Sequence, residues 1–147
     1  MVSLFQSLPF ILKLIIGINL LMTGYNWVAP PIVVDVDFPD YYFAGAAFGP
    51  FIVVNTGFVS KNSENYEVTL KHEYAHFIQQ ALYSPLGLSL YNAWHVVYNA
   101  CLYGIDRDYW FLYYKNNSLE EEAFQMQYDP SFKPPEKYFN ITLQLNW

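Results

Sequence analysis

In the stretch TLKHEYAHFIQQAL, Thr69 to Leu82, His72 and His76 stand four residues apart, with Glu73 directly after the first. Residues four apart share one face of a helix, about one turn from each other, so both imidazoles can aim at a single metal ion. Glu73 projects about 100° round from His72. It can reach a water on that ion but is poorly placed to ligate it alongside both histidines. Three protein ligands and one open position let zinc lower the pKa of a bound water to about 7. A neighbouring carboxylate can then take the proton as general base. The flanking Leu70, Tyr74, Ala75, Phe77 and Ile78 are uncharged, as a helix buried beneath a cleft requires.

Composition narrows the chemistry. The 147 residues suffice for one domain with a sizeable core. Seven basic residues and a net charge of −6 leave no patch to neutralise phosphates, which excludes nucleic-acid binding. Cys101 is the single cysteine, so a metal site must use histidines and carboxylates. Aromatic residues make up 20% of the chain, and tyrosine suits membrane interfaces and subunit contacts, where one end of the ring is apolar and the other wet.

From Leu4 to Val28 the only charge is Lys13. That length can cross about 30 Å of hydrocarbon as a helix. Lys13 can snorkel, and Tyr25 and Trp27 lie where interfacial anchors belong. The absence of a charged side chain before Lys13 speaks against a secretory signal. Residues 1–28 are therefore expected to form a hydrophobic, membrane-associated helix, and residues 29–147 a single domain.

Along that domain, IVVDVDF (Ile32 to Phe38) and FIVVNTGFV (Phe51 to Val59) read as strands, and YYFAGAAFGP between them as a turn. A long helix is predicted from about Glu64 to Tyr83, ended by Pro85 and Gly87. Ser84 to Ile105 carries no formal charge and places Asn92, His95 and Asn99 on one helical face, which predicts a core helix with a polar stripe. GIDRDYWFLYYKNN reads as a charged turn and an aromatic run. A further helix is predicted from Ser118, with Ser118 and Glu121 forming a capping box. The chain ends in an alternating strand with Ile141, Leu143, Leu145 and Trp147 on its buried face.

The third ligand has two sources, the acidic run in NNSLEEEAF and His95. HEYAH followed by EEEA resembles the gluzincin metallopeptidases, the thermolysin-like zinc enzymes, in which a later helix supplies a glutamate opening an E-x-x-A pattern. From about residue 49 to 125 the chain is similar to small bacterial HExxH proteins. Its departures from their pattern are Asn117-Ser118, where Asn-Pro is usual, and Phe124, where an aspartate often follows the alanine.

The resemblance implies an α+β fold: a minimal zincin-like domain with a small mixed β-sheet packed on the HExxH helix and a later glutamate-bearing helix. It implies Zn2+ held by His72, His76 and Glu120, with Glu122 and then His95 as the alternatives to Glu120. It further implies a peptide or protein substrate, bound along FIVVNTG as an edge strand, and Glu73 as general base. His95, Tyr91 and Tyr98 are chemically able to steady the oxyanion, and His95 stands beside Glu73 as the second candidate catalytic residue. The alternative function is a catalytically silent subunit or assembly factor of a membrane complex, with the motif retained.

Overall fold

The computed structural model describes residues 9–39, 43–104, 117–134 and 139–143. Its element order is α1 (Phe10–Val28), β1 (Ile32–Val36), β2 (Gly45–Phe48), β3 (Phe51–Asn55), α2 (Glu64–Tyr83), α3 (Pro85–Tyr103), α4 (Ser118–Tyr128) and β4 (Phe139–Leu143). The fold is α+β, with one four-stranded sheet ordered β2-β3-β1-β4. β1 runs parallel to β3 and β4, and β2 runs antiparallel to β3.

The sheet and α2 enclose the core. Val33, Ile52 and Val54 meet Tyr66, Leu70 and Phe77 of the helix, with Val59 beside them. Burying an apolar side chain of that size contributes about 1.5–3 kcal/mol. Polar groups fix how the helix sits. Asp35, fully buried on β1, accepts from Tyr66 Oη at 2.7 Å and pairs with Lys61. At the other end of α2, Gln80 clamps the β2–β3 turn: its Oε1 accepts from Gly49 N–H and its Nε2 donates to Ala47 C=O at 2.9 Å. Gly49 has φ +56°, a left-handed conformation that favours glycine, and a Cβ there would also press on the Met22 side chain of α1, 2.7 Å from its Sδ. Ser63 caps α2, its Oγ accepting from Tyr66 N–H at 3.1 Å.

Several expectations need correction. GAAF within the expected turn is strand β2, and it forms because β3 pairs with it from Phe48↔Phe51 to Gly45↔Val54. β3 therefore has a neighbour on each side and offers no free edge for a peptide; the strand at that border of the sheet is β2. Asn117, not Ser118, caps α4, with its Oδ1 accepting from Leu119 N–H at 3.1 Å. Glu121 is exposed and has no partner in a capping box, because Ser118 is already inside the helix.

The predicted core helix α3 is largely a surface helix. Leu88 and Asn99 are buried, while Leu90, Trp94, Val97 and Leu102 are exposed. In β4, the register Val34↔Ile141 puts Ile141 on the face opposite the Val33–Ile52 core, and it is 46% exposed. The expected buried residues Leu145 and Trp147, and nearly all of the aromatic run between Gly104 and Asn117, lie outside the described residues.

Candidate metal centre

Three ligand atoms converge where α2 packs on α4. His72 Nε2 and His76 Nε2 lie 3.2 Å apart, and Glu120 Oε2 is 3.3 Å from each. All three residues are mostly shielded from solvent, and Glu120 Oε2 is a buried oxygen with no hydrogen-bond donor aimed at it. Donors about 2.0–2.1 Å from a tetrahedral zinc lie about 3.3 Å from one another; right-angled donors at the same bond length lie about 2.9 Å apart. The observed triangle fits the tetrahedral case. The residues present therefore suit a zinc ion held by two nitrogens and one oxygen.

The helices dictate this convergence. His72 and His76 are one turn apart on α2. Glu120 sits in the first turn of α4, directed inward because Glu120, Ala123 and Gln127 form that helix's buried face. Asn117 fixes where the turn begins, and its Nδ2 donates to Asn92 Oδ1 on α3 at 3.1 Å.

Two glutamines orient the imidazoles. Gln79 Nε2 donates to Leu119 C=O and to Glu122 Oε2, both at 2.9 Å, which turns its Oε1 toward His76 Nδ1 at 2.8 Å. Gln127 Oε1 lies 3.0 Å from His72 Nδ1. With each Nδ1 donating outward, the Nε2 lone pairs are left for the shared centre. Phe124 packs its ring 4.8 Å from the His72 ring, and Gln127 one turn later supplies the polar contact to His72. Neither glutamine was singled out from sequence. The available signal was spacing: Gln79 follows His76 by three residues, and Gln127 follows Glu120 by seven.

Glu73 is buried one residue round the helix and lines a cleft of about 320 Å³ with His72, Thr69, Gly45, Phe43 and Phe124. A Cβ on Gly45 would stand 2.8 Å from Glu73 Cγ and 3.0 Å from the Val53 carbonyl, so glycine makes room for the carboxylate. Burial raises the Glu73 pKa; the charges of His76 and His72 and the N–H of Ala47 offset this in part.

The other candidates lie elsewhere. Glu122 is exposed and serves Gln79. His95 sits on α3 against Tyr91 and Tyr98, ring centroids 4.5 and 6.5 Å away, with its Nδ1 buried and unpartnered. Tyr91 Oη is 2.8 Å from Ser118 Oγ. Among the described residues no hydrogen bond or ring contact joins His95 to His72, Glu73, His76 or Glu120.

Without metal, charge pairing between His76 and Glu120 links the cluster. Burial alone pushes His76 down, but Glu120, Glu73 and Gln79 overcome it and raise its pKa to about 9. Burial pushes Glu120 up, and the two histidines overcome that and lower it to about 2. The His76 contribution to stability is complete below about pH 6.5 and is lost as pH rises through about 9. The Glu120 contribution is complete above about 4.5 and is lost as pH falls toward 2. Thermal unfolding of chelator-treated protein should therefore peak between about pH 4.5 and 6.5 and decline on both sides. A midpoint still rising from pH 7 to 9 would contradict the pairing of His76 with Glu120.

Compared with family models, with curated proteins and with solved structures, the chain has no match in any of the three.

Proposed function

We propose that the chain is a zinc-dependent peptidase of the HExxH type, anchored to a membrane by α1. The observation that carries this reading is the triangle of His72, His76 and Glu120 donors at 3.2–3.3 Å, with Glu73 in the adjoining cleft. When bound, zinc would supply Lewis acidity, lowering the pKa of a water and polarising a carbonyl. The chain's own part is to hold, orient and move protons. Gln79 and Gln127 set the imidazole tautomers, and Glu73 takes a proton from the attacking water and delivers it to the leaving amine. Burial raises the Glu73 pKa, and a carboxylate with a raised pKa holds an abstracted proton more strongly.

The anchor rests on α1. Phe10–Val28 is long and apolar enough to cross a membrane, and only 6% of the residues in its apolar window are buried. A structural subunit is the second reading. It is favoured by the outer sheet face, where Phe48, Phe51 and Ile141 are exposed and suited to a protein neighbour.

The deciding experiment is elemental analysis of protein purified without added metal, followed by digestion of a mixed peptide library. The expected result is one zinc per chain, with cleavage that a chelator stops and zinc restores. Folded protein with zinc but no cleavage would turn the reading to the structural subunit; folded protein without zinc would end it. A quieter effect concerns Gln127. Gln127→Ala should weaken zinc binding by about 10–100-fold, as loss of an orienting partner does. Competition with a fluorescent chelator measures it, and an unchanged affinity would show that His72 needs no such support.

A further inference from the structure

We propose that α3 is a lipid-contacting helix, with its outward face set among the acyl chains of the bilayer beside α1. The inference rests on the reading of α1 as a membrane helix. It goes beyond that reading by adding a second embedded element.

α3 is amphipathic in the inverted sense. Leu86, Leu90, Trp94, Val97 and Cys101 recur at intervals of three and four and lie on one exposed face, with Leu90 62%, Trp94 64% and Val97 56% accessible. The opposite face carries polar groups turned toward protein. Asn99 is fully buried and donates to His95 C=O at 2.9 Å, and Asn92 accepts from Asn117. A helix at a water boundary places its polar face outward. This one keeps polar groups inside and presents apolar groups outside, as a helix does in hydrocarbon. Residues 84–104 contain no Asp, Glu, Lys or Arg to oppose insertion.

The start of α3 answers the strictest demand of lipid, that backbone groups be satisfied without water. Pro85 has no N–H to satisfy. Leu86 N–H donates to Asn19 Oδ1 at 2.8 Å, Gly87 N–H to Ser84 Oγ at 3.1 Å, and Leu88 N–H to Ser84 C=O at 3.0 Å. The first turn is thus closed by side chains and backbone of the protein itself. Asn19 is a residue of α1, so this hydrogen bond ties the start of α3 to the candidate span.

Cys101, the only cysteine, lies on the outward face and provides the probe. The full chain, labelled there with a polarity-sensitive fluorophore, is reconstituted into phosphatidylcholine–phosphatidylglycerol vesicles. Quenching by lipids bearing acyl-chain nitroxides is compared with quenching by aqueous iodide. Two further chains in a Cys101→Ser background carry the label at Leu90→Cys on α3 or Ile18→Cys on α1, the first guarding against a local effect of the Cys101 label. The expected result is severalfold stronger quenching by lipid than by iodide at all three positions. Iodide quenching at Cys101 and Leu90→Cys, with lipid quenching at Ile18→Cys, would overturn the inference and leave α1 as the anchor. Iodide quenching at all three would remove both. Protection of the α3 labels from both quenchers would also overturn it, by showing that a second copy or another protein covers the face.

Discussion

Glu120→Ala should purify as folded protein that does not retain zinc, where the wild type is expected to carry one ion per chain. The loss of affinity should exceed the roughly 10–100-fold typical of an outer orienting partner, because a direct ligand is removed. Folding should survive, since alanine is the strongest helix former and the position lies in the first turn of α4. Removing the carboxylate also removes the main support for a protonated His76, so the imidazole should titrate lower. Glu122→Ala is the informative comparison. Glu122 meets Gln79 and not the imidazoles, so its loss should leave zinc bound with at most the smaller penalty. His95→Ala should keep zinc as well. Elemental analysis of the three variants, with circular dichroism to establish folding, distinguishes the ligand sets. Zinc lost in Glu122→Ala and kept in Glu120→Ala would reverse the assignment.

Much of this centre was legible in the chain because local periodicity determines it. The long helix from Glu64 to Tyr83 has a capping serine before it, an unbroken apolar face and a proline after it, and it forms over those residues. His72 and His76 follow from the helix itself. Glu120 was legible only through resemblance, since three consecutive glutamates at a helix start are equally a solvated cap. Its inward direction depends on Asn117 starting the turn one residue earlier than Ser118 would have done. Strand β2 was hidden for a related reason. Gly45, Ala46 and Ala47 have weak strand preference, and the strand exists because β3 pairs with it and Gln80 clamps its turn. The polar stripe of α3 was visible as periodicity, but periodicity does not say which face meets protein. That answer lies in long-range contacts such as Asn92 with Asn117 and Leu86 with Asn19.

Glu73→Gln separates binding from catalysis. Glutamine has nearly the same shape and can still accept from the Ala47 N–H, so the cleft beside Gly45 should keep its form. None of the three converging donors is touched, so zinc content should remain at one per chain. An amide cannot take a proton from the attacking water or pass one to the leaving amine. Loss of a positioned general base typically costs about 10²–10⁴-fold in rate. The loss should fall on kcat with KM nearly unchanged, because the missing interaction is made during the reaction and not in substrate binding. Zinc-loaded protein with undiminished cleavage would mean that another group serves as base, and Glu73 would be only a buried carboxylate beside a metal. A pure binding site gives no reason to keep an ionisable group buried there, where burial penalises its charge and Glu120 repels it. The Glu73→Gln rate therefore tests the proposed chemistry separately from the metal.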